Sequence, residues 1–411
     1  MTDPVIRPRN GVLLIALQSA EGVAASPSAA TDAIPFEDGS ISYNSPFTTE
    51  ASNEASGSLV AAAPMVIGQP ATIGFRSRLK GAGAGVTYTL SVKPPLHAPL
   101  QACGMRGLFT AAIAAAALTA GAIDSGTLGT GYSTTAQAYR GMPLILSGGS
   151  GAGRVPLITD YSASKVAKLS DKYGAALDTS TSAAMPANWS YAGTSPADGA
   201  ARAADHPLAT IYWYEDGNLL QWIDCRGTVD FDGNTARPGF GAFSFTGVYM
   251  GKTAASVPSN AVIASHSAPL LVQGAGVVPA FQVNRRGLAI SRWSWTNGGN
   301  IESPEDPNTP QGYASGQIGG RGTVLEADPL STQVAVRDAL AEIAAFANYP
   351  ASLQFGTVAG NRVSLLGPVV QPIEANPTDR GSFRAETTRW QALNPGKDAV
   401  GRDGDRILTF S

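Results

Sequence analysis

The chain has 411 residues, with 28 basic against 31 acidic side chains, a net charge of −3 and only 14% charged residues, well below the roughly 25% usual in soluble domains. No basic excess drives nucleic-acid binding by counterion release, and no acidic excess marks a disordered tail. With 44% hydrophobic residues, 47 glycines and 28 prolines, the composition points to a core built from many short strands and a surface buried against copies of the same chain.

The first apolar run, Val12–Leu17, is too short for a signal-peptide core, and Gly107–Ile123 is mostly alanine; neither is expected to enter a membrane. Ala33–Tyr43 (AIPFEDGSISY) is strand-like with a glycine turn, and a long polar arm, Asn44–Pro70, follows. Residues 71–81 (ATIGFRSRLKG) alternate as a strand with one buried face. PLHAPLQACGMRGLF predicts a short helix. Further on, TIYWYEDGNLLQWIDCRGTV sets Asp216-Gly217 between two apolar strands, a tight hairpin, and Gly241–Gly251 (GAFSFTGVYMG) supplies a closing strand.

The same order then recurs. Ala280–Trp293 (AFQVNRRGLAISRW) is strand-like, Thr296–Ser315 forms a second polar arm, and GQIGGRGTVLE repeats an Ile-Gly-x-Arg at Ile318–Arg321 that stands first at Ile73–Arg76. STQVAVRDALAEIAAFANY predicts a helix, with Val336, Leu340, Ile343 and Ala347 at helical spacing and Ser331 or Thr332 as its cap. Gly360-Asn361 predicts a second tight hairpin, and Gly381–Ala392 (GSFRAETTRWQA) a second closing strand. The chain therefore divides into a discontinuous first repeat, 1–105 with 206–255, a connector, 256–279, and a second repeat, 280–411. The insertion 106–205 contains a small β module, with strands at Leu144–Leu146, Val155–Ile158 and Lys165–Leu169 joined by glycine turns. Its remainder, including SAAMPANWSYAGTSPADGAARAAD, reads as loop.

Chemistry-bearing residues are sparse. His97, His206 and His266 stand in no zinc spacing, and none accompanies a Gly-x-Ser-x-Gly elbow. Gly148–Arg154 lacks the Lys-Ser/Thr ending and the following helix of a phosphate loop, and reads as hairpin glycines. Glu302, Glu305 and Asp306 sit in a Pro/Asn loop. Asp224, Asp230 and Asp232 alternate with apolar residues as the outer face of a strand. Tyr212, Trp213, Tyr214, Trp222, Trp293 and Trp295 suit cross-strand packing, with a sugar-stacking platform, or less readily a base-stacking one for want of a basic groove, as the alternative. Cys103 and Cys225 read as buried free thiols. We expect no catalytic, metal or cofactor site.

The opening NGVLLIALQSAEGVAASPSAATDAIPFEDGSIS with PLHAPLQACGM resembles the major tail tube proteins of long-tailed (siphovirus) bacteriophages. So do IYWYEDGNLLQWIDCRGTVDFDGNTARPGFGAFSFTGVYMG and SGQIGGRGTVLEADPLSTQ followed by VAGNRVSLLGPVVQ. The resemblance implies a mainly β fold with flanking short helices: two tandem tail-tube-type β-sandwich or barrel domains plus the small inserted β module. It implies sheets that join side by side around a channel for genome delivery. Six domains per ring is the family's usual count, so three two-repeat chains would make a trimeric, pseudo-hexameric ring. Partners implied are the chain itself, the tape measure, terminator and distal tail proteins, and phage DNA that passes through the lumen without tight binding. The implied place is the virion tail, assembled in the host cytoplasm. The arms are the expected inter-ring contacts, through Phe47, Leu59, Met65, Ile301, Glu302, Glu305 and Tyr313. A terminator or distal tail protein of the same fold is an alternative, as is a β-rich carbohydrate-binding or carbohydrate-cleaving surface protein.

Overall fold

Apolar alternation becomes strand from the outset. In the computed structural model, which describes residues 5–7, 9–55, 57–263, 270–274 and 279–411, β1 (Gly11–Leu17) buries Leu13, Leu14 and Ile15. The strand expected over Ala33–Tyr43 is mostly irregular. Ile34 donates its N–H to Leu13 O and Glu37 donates to Arg76 O, but Pro35 has no N–H to give and Gly39 turns the chain at φ 74°. Only β2 (Ser42–Tyr43) is regular. Within the arm, β3 (Phe47–Glu50) and β4 (Met65–Gly68) pair as a two-stranded ribbon. In β5 (Ala71–Arg78) every second residue from Ala71 to Ser77 is buried, as the alternation requires. α1 (His97–Ala102) is the short first helix.

The insertion opens with β6 (Met105–Thr110), β7 (Ile113–Ala117), β8 (Ala120–Gly121) and β9 (Ser125–Thr127). It continues with β10 (Ile145–Ser147), β11 (Ile158–Tyr161), β12 (Val166–Leu169), β13 (Ser182–Met185) and β14 (Asn188–Thr194). Two small sheets, β10-β13-β7 and β11-β12-β9-β8, enclose their own core around Tyr132, Tyr139, Met142 and Tyr161. The strand expected at Val155–Ile158 begins only at Ile158, after Pro156. The stretch expected as loop contains β13, β14 and α2 (Gly199–Asp205). β14 is buried at all its residues. Its Asn, Ser, Gly and Thr residues hide a strand covered on both faces, since strand preference follows context more than residue type.

β15 (Ala209–Glu215), β16 (Asn218–Asn234) and β17 (Gly239–Ala254) then form the expected hairpin and closing strand. Asp216 and Gly217 both take positive φ, 42° and 95°, the requirement of a two-residue turn that matches strand twist. The second half follows with β18 (Phe281–Val283), β19 (Arg286–Gly287), β20 (Arg292–Thr296), β21 (Ile301–Glu302), β22 (Gln317–Ile318) and β23 (Val324–Ala327). After α3 (Ala339–Ala344) come β24 (Tyr349–Phe355), β25 (Val363–Arg380), β26 (Phe383–Ala392) and β27 (Arg402–Phe410).

Three expectations for this half are corrected. The helix is six residues, capped by Asp338 Oδ1 accepting from Ala341 N–H at 3.0 Å rather than by Ser331 or Thr332. Ser331 is instead held to Arg384 O, and the left-handed Phe346 follows the last turn. Val336 and Leu340 face solvent. Gly360-Asn361 lies in a seven-residue loop from Gly356 to Arg362, not a tight turn, because Asn361 Oδ1 accepts from Gly81 N–H and Gly360 N–H donates to Ser411 O. Finally, the second Ile-Gly-x-Arg is no counterpart of the first: Ile73–Arg76 lies within β5, whereas Ile318 ends a two-residue strand.

The order of pairing is nevertheless the same twice. β1-β15-β16-β17-β5-β2 and β18-β24-β25-β26-β23-β20 are both antiparallel throughout. β27 pairs with β25 and with β14, and so carries the insertion's β6 and β14 into the main sheet. One core runs through both halves and includes Trp213, Trp222, Trp295 and Trp390. Replacing the fully buried Trp390 with alanine should cost about 3–5 kcal/mol in urea unfolding, whereas Leu340→Asp on the exposed helix should stay within about 0.5 kcal/mol.

Candidate assembly interface

β16 outruns its hairpin partner. β15 pairs with it only as far as Cys225, and the exposed side of the remaining strand receives β20, with Phe231 opposite Trp295 and Asn234 opposite Arg292. The edge of the second half is thereby stitched to the middle of the first. Arg406 of β27 is buried beneath this joint. Its Nη1 donates to Val229 O at 3.1 Å and Trp295 O at 3.3 Å, its Nη2 donates to Asn297 Oδ1, and its guanidinium lies 4.7 Å from the Phe231 ring centre. Burial lowers its pKa to about 10, so it stays charged at neutral pH. Asp230 adds a bond from Asn297 N–H, 2.6 Å.

The second arm closes over the same joint. β21 and β22 pair with each other, Arg226 Nη1 donates to Gly316 O at 3.0 Å, and Gln311 Nε2 donates to Tyr249 O at 3.0 Å. Of the residues singled out there, Ile301 and Tyr313 are half-buried, while Glu302 and Glu305 are exposed. Glu302 accepts from Asn300, and Glu305 bridges to Tyr313. The first arm is arranged otherwise. Phe47, Leu59 and Met65 are exposed, with Val66 and Ile67 beside them; Asn44 clasps its base through Pro70 O and Thr72 N–H. The structure does not bring the two groups of residues together. The arms approach at Gly68, where a Cβ would strike Gln311 O.

The two arginines of the shared motif serve different ends. Arg76 holds both oxygens of Asp232 at 2.6 Å and lies over Phe240. Arg321 pairs with Asp403 and donates to Thr194 O, tying β14 to β27.

His97 and His206 are engaged in packing. His97 Nδ1 lies 2.7 Å from Tyr191 Oη, and burial, with Lys93 nearby, pushes its imidazole down to about 3. His206 is buried and lowered by the same cause; His266 lies outside the described residues. Asp224 is not on an outer strand face: it sits at a bulge with φ 54°, buried, accepting from Gln18 and Gly22. Gly148, Gly149 and Gly153 take positive φ around a single 3₁₀ turn between β10 and β11. Cys103 and Cys225 are buried free thiols pushed up by burial. Among the described residues, no three His, Cys, Asp or Glu side chains gather as a metal site. Trp213, Trp222, Trp293 and Trp295 are core side chains, so these rings offer no platform to a sugar. Sequence reasoning missed β27, β14 and the overhang of β16; for the last, the unbroken run from Asn218 to Asn234 was the available signal. The chain matches no known family model and no curated protein.

Arg406→Leu should lose about 2–4 kcal/mol in denaturant unfolding, since the carbonyls of Val229 and Trp295 would be left without their donor. His97 has an ordinary value of 6.5 when unfolded, so the unfolded chain takes up a proton that the folded chain refuses. Stability is complete above that value and is lost as pH falls towards the folded value of about 3. His97→Gln should therefore show a shallower fall in Tm than the parent chain between about pH 6.5 and about pH 4.

Proposed function

We propose that the chain is a structural virion protein whose copies join into rings that stack as the tail tube of a long-tailed bacteriophage. The observation that carries this reading is the joint between two sheets of identical pairing order, made by the edge strand of one on the overhang of the other. A joint of this kind between unlike surfaces is heterologous: repeated from chain to chain, it closes into a ring or runs on as a filament. Three chains, each with two such units, form the trimeric ring. In this reading each six-stranded sheet curls into the sandwich or barrel of a tail-tube domain, and the DNA passes through a lumen that does not grip it, in keeping with a net charge of −3.

The arms take separate roles. The second is occupied by the first half of its own chain and belongs to the lateral joint. The first, with Phe47, Leu59 and Met65 exposed, reaches the neighbouring ring. The low charge fraction and the burial of the tryptophans support assembly over a carbohydrate-directed role.

Electron microscopy of the purified chain tests this directly, with rings or tubes around a central channel expected; a dispersed monomer at high concentration would sink the proposal. Deleting Ser45–Gln69, while keeping the Asn44 clasp, should leave rings that no longer stack. Tubes of undiminished length would remove the arm from the contact.

A further inference from the structure

We infer that the overhang of β25 is the receiving edge for β2 of a second copy of this chain, in the way that the overhang of β16 receives β20 within one chain. The inference rests on the ring reading above and adds the strands that make the contact between chains.

The two overhangs correspond in place. β16 and β25 are each the third strand of their six, each the longer arm of a hairpin, and each outruns the second strand. On β16 the partner changes from β15, whose pairing ends at Cys225, to β20, whose pairing begins at Phe231. On β25 the pairing with the equivalent partner, β24, ends at Val370, and the same offset falls at Asn376. Among the described residues no strand pairs with this side of β25 beyond Val370, and Ile373, Asn376, Pro377 and Asp379 are exposed. At the other end of the main sheet, β2 is the terminal strand. It is the sixth of its set as β20 is of the second, paired with β5 on one side and with no strand on the other among the described residues. A chain whose internal joint uses one overhang and one edge is thus left with one overhang and one edge of the same kinds.

Backbone direction agrees. On the far side of β26, Arg384 O accepts from Ser331 N–H and Glu386 N–H donates to Pro329 O. The residues facing these across the ladder, Asp379 and Pro377, therefore turn their own backbone groups away from β26, to the open side. Pro377 offers a carbonyl and no N–H there. A proline on an exposed edge blocks long, unselective strand addition and leaves room for a short pairing such as the four residues that β20 places on β16. On β2, Asn44 N–H donates to Thr72 O and Ser42 stands opposite Gly74, so Ile41 and Tyr43 turn to the open side. The occupant is Ile41–Asn44 of the next copy, antiparallel to Asn376–Asp379, with Ile41 opposite Asp379 and Tyr43 opposite Pro377.

The test uses the full chain in its assembled form. Ser42→Cys is combined in turn with a cysteine at Asn376, Pro377, Thr378 or Asp379; Cys103 and Cys225 are buried and take no part. A disulfide requires Cα atoms about 4.4–6.8 Å apart, so oxidation should link chains strongly in one or two of the four pairs, with a covalent trimer as the largest species and no linkage in the single-cysteine controls. In the unmodified chain, amide exchange at Ile41, Tyr43 and Asp379 should slow by at least about tenfold on assembly. Rings that form without linkage in any pair and without this protection would overturn the inference and leave the ring reading standing. Linked chains that grow into open filaments would support the strand contact and overturn the closed ring. A chain that stays monomeric overturns both.

Discussion

An unpaired strand edge is a row of donors and acceptors that must be paired, covered or blunted, and this constraint organises the molecule. β16 is longer than the strand beside it, and the surplus is where the two halves meet. Backbone pairing of Phe231–Asn234 with Arg292–Trp295 joins the two halves into one main sheet. The same surplus in β25 pairs with no strand on that side among the described residues, and there the edge carries Pro377 and the ion pair of Asp379 with Arg384. Prolines and charges on an edge are the usual guard against indiscriminate pairing.

The joint is reinforced from beneath by a buried charge. Arg406 lies on β27, far along the chain from Val229 and Trp295, yet its guanidinium satisfies carbonyls from both halves at once. A cation in such a place is tolerated because its donors are occupied and an aromatic face lies alongside. β27, which carries it, also receives β14, so the last strand of the chain anchors the insertion as well. The second core, around Tyr139 and Tyr161, is packed within the insertion itself.

What was legible in the sequence were elements whose side chains announce one buried face or one turn. β5 alternates cleanly. The Asp216-Gly217 hairpin carries the residues that positive φ demands, and Gly241–Gly251 and Gly381–Ala392 were legible as closing strands, observed as Gly239–Ala254 and Phe383–Ala392. The helix over 331–349 failed because apolar spacing does not say whether a neighbour exists to cover it: Val336 and Leu340 remain exposed. β14 failed in the opposite sense, since polar and small residues fill a strand whose partners on both sides are distant in sequence. Asp224 was misplaced because a bulge breaks the period of two on which the alternation argument depends. Among the residues singled out for contacts, exposure of Phe47, Leu59 and Met65 accords with their place in a polar arm, but nothing local distinguished that arm from the second one.

The sequence by itself determined the mainly β character, the Asp216-Gly217 hairpin, the closing strand of each half and the two free thiols. These follow from period, turn chemistry and composition, which act between near neighbours. The tertiary structure alone decided which edge meets which overhang, that one arm is folded home while the other stands clear, and that an arginine near the end of the chain lies beneath a joint made by two others. Those depend on pairings between residues tens to hundreds of positions apart, and a hydrogen bond from one backbone to another leaves no mark on the side chains that the sequence records.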